Sequence, residues 1–294
     1  MVAPAGRLPS WVRPTDRCSA TVVLRARVIT AVLLLALVVP VVVVGSVRAW
    51  GVLTLVFMAI AAREWSRLLR PQQAAWPLAL ALTAVGILYL AWQPDEHMGP
   101  VSVALLAFAF AFWLLAAPWR LWRHDARPGG RVLAFLLLLA CWLGLLQLRA
   151  IGVAALLVAM AIVWVADIAG YFVGRALGRN KLAPRISPGK SWEGAFGGVI
   201  AVALLGLGSA HLAWLSQALP SQLLLAWGPA AAIGCLVTLA ALSIVGDLHE
   251  SLLKRQAGAK DSGSSLPGHG GVLDRIDAMI ATIPPVVLLH LLLR

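Results

Sequence analysis

Long, almost uninterrupted apolar runs are the feature that most constrains the fold of this chain. A membrane-spanning helix needs about 20 mostly apolar residues, whereas the strands of a membrane barrel appear as alternating segments of about ten. The runs here do not alternate, and the chain is 61% hydrophobic and only 12% charged, against roughly 25% charged residues in soluble domains. The sequence therefore predicts an all-α, polytopic integral membrane protein.

Charged positions and Pro/Gly-rich breaks divide the apolar sequence into about nine candidate transmembrane helices. The second candidate is short and the link between the fifth and the sixth is tight, so a count one lower or one higher stays open. The candidates are residues 28–46, 48–63, 75–92, 99–118, 132–148, 150–173, 194–214, 223–246 and 276–293.

Positive charge orients these helices, because the cytoplasmic loops of membrane proteins carry an excess of lysine and arginine. With the N-terminus inside, all 24 Lys and Arg residues except Arg48, Arg149 and Arg294 fall in the N-terminal tail or in inner loops. We therefore expect a cytoplasmic N-terminus. The same rule accounts for the net charge of +12, which in a soluble domain would point to nucleic acid, so we expect no nucleic-acid partner.

This topology places two polar segments, residues 174–193 and 247–275, on the same cytoplasmic side, where we expect them to form one active site. The chain then divides into a polar cytosolic tail (1–24), N-terminal transmembrane helices (25–150) and a C-terminal catalytic transmembrane region (151–294).

The stretch 247–277 concentrates polar chemistry in an apolar chain. Besides two histidines, four basic residues and a Gly-rich turn, it holds the acidic residues Asp247, Glu250, Asp261, Asp274 and Asp277. Carboxylates from the ends of two helices, next to lysine and arginine, suit a hard cation such as Mg²⁺ that also binds phosphate oxygens. The alternative is a solvated loop with salt bridges, although such a loop does not need a Gly-rich turn that lets backbone approach a ligand.

The segment RISPGKSWEG, residues 185–194, is the second polar group. Pro188 and Gly189 interrupt the helical pattern, so Ser187, Lys190 and Ser191 can offer hydroxyls and an ammonium to an anion in the inner cavity. An ordinary basic inner loop is the alternative.

Three further residues have two interpretations each. Asp167 lies inside the sixth candidate helix, where a carboxylate is a functional candidate because its desolvation is costly; the alternative is a hydrogen-bonded packing residue. His269 either contacts phosphate or forms a hydrogen bond within the turn. For Glu64, at the end of the second candidate helix, we favour an interfacial ion pair with Arg63 over a role in the site.

The stretch 251–277 resembles, at every defined position, the signature of phosphatidate cytidylyltransferases, also called CDP-diacylglycerol synthases. The resemblance extends upstream through SIVGDLHES and RISPGKSWEG to Asp167. Ser191 stands where threonine is usual, and Ser262 stands where an aromatic residue is expected. The matching positions are Ser251, Lys254, Arg255, Lys260, Asp261, Gly263, Leu266, Pro267, His269, Gly270, Gly271, Val272, Asp274, Arg275, Ile276 and Asp277.

The resemblance implies a reaction in which the phosphate of phosphatidic acid attacks the α-phosphorus of CTP. The products are CDP-diacylglycerol and pyrophosphate, the cofactor is Mg²⁺, and a second cation stays open. It implies that Asp247 and Asp274 hold the metal. The implied catalytic residues are Asp247, Lys254, Lys260, Asp261, Asp274 and Asp277, and the implied substrate-binding residues are Asp167, Ser187, Lys190, Ser191, Arg255, His269, Gly270, Gly271 and Arg275.

The expected partners are CTP from the cytosol, phosphatidic acid in the bilayer and, by resemblance, a second copy of the chain in a homodimer. The Arg- and Ala-rich composition favours a bacterial source, and therefore a multi-pass protein of the cytoplasmic membrane with its active site facing the cytoplasm.

Two rival functions remain at this point. An ion-coupled transporter would use Asp167, but transporter sites usually lie near the midplane between internal repeats, and here most acidic residues gather at one face. Another CTP-dependent lipid enzyme, such as a polyprenol kinase, is the nearer rival, and the complete signature argues against it.

Overall fold

The computed structural model describes residues 16–70, 72–92 and 98–293, with backbone alone for residues 16–27. Within these residues the chain is mostly helical, as predicted. The helices are α1 (Asp16–Val43), α2 (Val47–Leu69), α3 (Trp76–Trp92), α4 (Pro100–Ala111), α5 (Ala117–Arg123), α6 (Gly130–Ile151), α7 (Val153–Leu177), α8 (Trp192–Ser209), α9 (Leu219–Gln256) and α10 (Leu273–Leu292). A π-helical turn, Phe112–Ala116, joins α4 to α5, and a 3₁₀ turn, Ala213–Leu215, precedes α9.

Among the described residues, six helical segments are long and apolar enough to cross a membrane, by length and composition. Their outward surfaces are apolar: Leu225 is 83% exposed, Val101 81% and Val132 70%. Such surface is typical of a protein that faces lipid, so the integral membrane character is supported. The six segments are Pro100–Arg123, Gly130–Ile151, Val153–Leu177, Trp192–Ser209, Leu219–Gln256 and Leu273–Leu292.

The N-terminal third adds two shorter apolar helices, Val28–Val43 and Trp76–Trp92, and α2, whose last turns are charged. Every predicted span overlaps a helix, and the count of about nine crossings stays a prediction. Much of the tail predicted for residues 1–24 lies outside the described residues, but α1 already begins at Asp16. Because neither glycine nor proline occurs between Pro14 and Pro40, the helix extends back past its charged residues.

The structure also contains two short strands, β1 (Lys181–Ala183) and β2 (Ser187–Ser191), which pair antiparallel. The all-α prediction is corrected in this detail. Residues 178–191, named here the basic hairpin, fold this way because the N–H of Trp192 donates to the carbonyl of Asn180 over 2.9 Å and closes the strands at their open end.

Two buried tryptophans fix α2 against α6 at the centre of the bundle. The Trp50 indole donates to the carbonyl of Leu145 on α6, and the Trp142 indole donates to the carbonyl of Gly51 on α2, each over 3.0 Å. Both rings are almost fully buried. Polar groups in lipid must find partners within the protein, so these reciprocal bonds set the depth and rotation of α2 within the bundle.

Small residues bring α7 and α8 into backbone contact. An ideal Cβ placed on Gly194 of α8 would lie 2.6 Å from the carbonyl oxygen of Gly170 on α7. Close approach of this kind through small residues is the usual way in which membrane helices pack. The contact fixes the basic hairpin, which joins these two helices.

Helices α9 and α10 meet in the same manner beside the polar residues. A Cβ on Gly246 would lie 2.7 Å from the carbonyl oxygen of Asp277. Nearer the start of α9, Gly228 takes φ 77°, a left-handed conformation that glycine adopts readily. Pro229 follows it, and the helix kinks at this point. The part of α9 that follows the kink is therefore a separate helical segment, and it packs along α10.

We predict that Gly194→Ala destabilises the protein, because the added methyl group must push α7 away from α8. Overpacking of this kind costs about 1–3 kcal/mol. Gly208→Ala is the matched control: it lies on the same helix and its Cβ would meet no atom within 4 Å. Thermal unfolding of the detergent-purified variants measures both. Equal melting temperatures for the two variants would contradict the packing argument.

Candidate active site

The carboxylates of α7, α9 and α10 converge where Gly246 allows α9 and α10 to touch. Asp167, Asp247 and Asp277 are close enough to repel one another, and Lys190 is close enough to attract them. Lys190 Nζ lies 2.6 Å from Asp247 Oδ2, and Ser251 Oγ donates to Asp247 Oδ1 over 3.2 Å. Acidic residues that the sequence separates into three helices therefore form one cluster, which has more negative than positive charge.

The basic hairpin brings the other predicted polar segment to this cluster. Besides Lys190, it contributes the carbonyl of Ile186, which accepts from Arg255 Nε over 3.2 Å. Ser187 is partly buried on β2. Ser191 is 4% exposed and caps α8, accepting from the N–H of Gly194. The two segments predicted to share a site are thus in contact, although Ser191 acts here as a helix cap.

Lys254 connects two acidic residues behind the cluster. Its ammonium contacts Glu250 one turn earlier on α9 and lies 2.8 Å from Asp274 Oδ1 on α10. All three side chains are largely buried: the exposed fractions are 14% for Lys254, 5% for Glu250 and 6% for Asp274. Because buried charges must be paired, this bridge holds the two helices in register.

Residues 257–272, named here the signature loop, wrap around Asp274. Its carboxylate accepts from the N–H of Gly271 over 2.8 Å and from the N–H of Ser262 over 3.1 Å. Within the loop, Gly268 and Gly270 have φ of 75° and 83°, values that only glycine adopts without strain. A Cβ on Gly270 would also lie 2.9 Å from Asp274 Oδ2. The Gly-rich turn is therefore shaped around the carboxylate.

The remaining signature residues differ in how many hydrogen bonds they form within the protein. Arg275 donates from Nε and Nη2 to the carbonyl of His269, over 3.2 and 2.7 Å, which ties the turn to α10. His269 is partly buried, and its N–H donates to the carbonyl of Leu266. Lys260 and Asp261 are exposed on the loop. Their side chains are open to a ligand.

We tested whether these residues suit Mg²⁺. Among the described residues, no three His, Cys, Asp or Glu side chains are arranged to hold a metal by themselves. Mg²⁺ usually binds through one or two carboxylates together with phosphate oxygens, which is the set available here. A carboxylate has about four lone-pair positions. Asp247 uses two of them on Lys190 and Ser251, whereas Asp274 makes four contacts with three protein donors, Lys254, Ser262 and Gly271. Asp247 therefore keeps oxygen positions for a cation shared with phosphate, and Asp274 would have to exchange a protein donor to join it.

The chain matches the cytidylyltransferase family over residues 25–293. It belongs to that family. It is 39% identical over 273 residues to a phosphatidate cytidylyltransferase of Pseudomonas aeruginosa, covering 89% of this chain and 94% of that protein. Shorter matches carry the same name: in Haemophilus influenzae 44% identity over 133 residues, with 45% of this chain and 44% of that protein, and in Brucella suis 50% over 131 residues, with 44% of each. The resemblance seen in residues 251–277 is confirmed.

Sequence reasoning misread one residue of this family member. Glu64 is 1% exposed, and it forms no ion pair with Arg63. Its carboxylate instead accepts hydrogen bonds from the start of α10 and from Ser262, whereas the Arg63 guanidinium lies 4.5 Å from the centre of the Trp76 ring. The cost of placing a carboxylate in an apolar helix was the signal that could have found it.

A second residue that the sequence did not single out is His249, which is 1% exposed. Its ring lies against Trp65, Phe112 and Trp113, with the centre of the Trp113 ring 5.3 Å away. His249 therefore packs the C-terminal part of α9 against α2 and the π-helical turn. It lies two residues after Asp247, and positions two apart on a helix face opposite sides, so the packed and the polar faces of α9 are opposite each other.

We predict that Lys254→Met lowers the stability of the protein, because Glu250 and Asp274 then remain buried without their cation. Removing one partner of a buried ion pair costs about 3–5 kcal/mol. Lys260→Met is the matched control, since this exposed lysine forms no ion pair with any described residue. Thermal unfolding in detergent compares them. A Lys254→Met protein as stable as the control would mean that the bridge is not structural.

Proposed function

We propose that this chain transfers the cytidylyl group of CTP to phosphatidic acid and releases pyrophosphate. The observation that carries the proposal is its similarity, over 89% of its length, to a protein named phosphatidate cytidylyltransferase. The carboxylate and lysine cluster at the ends of membrane helices adds support, because a lipid phosphate and a cytosolic nucleotide can both reach it.

In the proposed reaction an oxygen of the lipid phosphate forms a bond to the α-phosphorus of CTP. The bond from that phosphorus to the oxygen bridging to the β-phosphate breaks, and its electron pair leaves with pyrophosphate. The lipid supplies the nucleophile, so no covalent protein intermediate is needed. The protein contributes by orienting the two phosphates and by stabilising the charge that develops between them.

For the lipid phosphate we propose Lys190 and Ser187 as direct contacts. Lys190 already sits at the carboxylate cluster, 2.6 Å from Asp247, and it can share its three N–H donors with a phosphate. Ser191 then supports the hairpin through its cap on α8, while Asp167 borders the cluster on the side of α7.

For CTP we propose the signature loop and its cations. Lys260 and Arg255 are exposed, and the fork of Arg275 retains N–H donors beyond those given to His269. Lys254, fixed between two carboxylates, would place positive charge beside the leaving pyrophosphate. The backbone of His269, Gly270 and Gly271 allows phosphate oxygens to approach closely.

We further propose Asp247 and Asp274 as carboxylate ligands of Mg²⁺, with Asp261 and Asp277 orienting bound groups. Asp247 keeps lone pairs after its protein contacts are counted, and Asp274 would exchange a protein donor for the cation. When bound, the cation would neutralise negative charge on the phosphates. A second cation stays open.

The decisive experiment measures pyrophosphate release by detergent-purified protein with CTP and phosphatidic acid, separately and together, with and without Mg²⁺. We expect release to require all three. Release by a folded protein with a polyprenol in place of phosphatidic acid, and not with phosphatidic acid itself, would favour the rival CTP-dependent enzyme. Release in no combination would contradict the proposal.

We predict that Asp274→Asn abolishes measurable turnover, with a loss of about 10²–10³-fold for a group acting on the transition state, while the protein still inserts and folds. Asp125→Asn is the matched control, because Asp125 lies in the loop between α5 and α6 and the amide keeps the oxygen that accepts from Arg127 and Gln256. Near-normal turnover of Asp274→Asn would remove this residue from the catalytic set.

For the membrane topology we propose about nine crossings, with the N-terminus and the active site on the cytoplasmic side of a bacterial inner membrane. Exposed Ser265, in the signature loop, and Ser216, before α9, provide positions for single cysteines. An impermeant thiol reagent should label Ser216→Cys in intact spheroplasts and Ser265→Cys in inverted vesicles alone. The reverse pattern would overturn the orientation.

A homodimer stays a proposal, for which light scattering in detergent gives the mass.

A further inference from the structure

We propose that Glu64, on α2, is a positioning residue that holds the signature loop in the shape needed to bind CTP. The inference rests on the proposed function. It concerns a residue outside the signature, in the N-terminal helices, and it assigns to those helices a part in nucleotide binding.

The contacts of Glu64 reach both ends of the loop. Its carboxylate accepts from the N–H of Leu273 over 2.8 Å and from the N–H of Val272 over 3.2 Å, at the end that enters α10. Near the other end it accepts from Ser262 Oγ over 3.3 Å. A Cβ on Gly263 would lie 2.5 Å from Glu64 Oε1, so the loop backbone passes directly over the carboxylate.

Asp274 binds the same loop from the side opposite Glu64. Ser262 gives its N–H to Asp274 and its hydroxyl to Glu64. Gly271 gives its N–H to Asp274, and a Cβ on Gly271 would lie 2.6 Å from Glu64 Oε2. Two carboxylates therefore clamp the residues that flank the Gly-rich turn, and Ser262, where the family resemblance leads one to expect an aromatic residue, is part of the clamp.

The charge of Glu64 is balanced by backbone and not by a cation. It forms no ion pair with a described residue, while two N–H groups at the start of α10 point at it. Unpaired N–H groups and the positive end of a helix dipole favour a carboxylate there. Trp50 and Trp142 fix α2 to α6, and Glu64 lies on α2. Its hydrogen bonds therefore anchor the signature loop to the centre of the helical bundle.

A positioning role predicts a specific kinetic signature. The CTP contacts proposed above lie on the loop or next to it, whereas the lipid-phosphate contacts Ser187 and Lys190 lie on the basic hairpin, which Glu64 does not touch. Loosening the loop should therefore raise KM for CTP and leave KM for phosphatidic acid unchanged. Loss of folded protein alone would lower the apparent kcat and leave both KM values as they are.

The test compares Glu64→Ala and Glu64→Gln with wild type in detergent, measuring KM for each substrate and hydrogen exchange of residues 262–273. We expect KM for CTP to rise about tenfold in Glu64→Ala, as for the loss of hydrogen bonds to a charged group, and about threefold in Glu64→Gln, which keeps one acceptor oxygen. Exchange of the loop amides should accelerate in the same order.

Ser66→Ala is the matched control, because Ser66 is fully buried on the same helix and its hydroxyl has no hydrogen-bond partner in the described part of the chain. It should keep both KM values. Glu64→Gln conserves volume and decides the matter if Glu64→Ala does not fold. Unchanged KM for CTP in Glu64→Gln with unchanged loop exchange, or equal rises for both substrates, would overturn the inference. Absence of CTP consumption by wild type would instead count against the proposed function.

Discussion

The backbone contact between α9 and α10 at Gly246 is the constraint on which the rest of the site depends. It sets Asp247 on one helix against Asp277 on the other, and it brings Lys254 within 2.8 Å of Asp274. Both of these juxtapositions follow from that one approach. Any side chain at position 246 would separate the helices and, with them, the carboxylates of the candidate site.

The carboxylates of this largely apolar protein are stabilised in two different ways. Glu64 and Asp274 receive backbone N–H groups, which hold them in place and in turn shape the loop. Asp167, Asp247 and Asp277 are left with less compensation, since Lys190 is the cation that reaches them. An opposite charge nearby stabilises such carboxylates, which supports the proposal that a metal and Lys190 act at this set.

Much of the architecture could be predicted from sequence, because apolar run length and the placement of arginine report directly on membrane helices. The meeting of the two polar segments followed from their shared side. The role of Glu64 did not, because its partners Ser262 and Val272 are 198 and 208 residues away, and a neighbouring Arg63 offered a simpler pairing. The hairpin was also missed, since strands of three and five residues have too little pattern to detect.

The kink at Gly228 has a consequence for depth in the bilayer. From Pro229 to Gln256, α9 runs straight for about 42 Å at 1.5 Å per residue, whereas the hydrocarbon layer is about 30 Å thick. For a helix along the membrane normal with Pro229 at the far boundary, roughly the last two turns would emerge from that layer. Those turns carry Glu250 and Lys254, and Asp247 comes just before them, so in this placement the length of one helix would lift the candidate site to the level of the lipid phosphates.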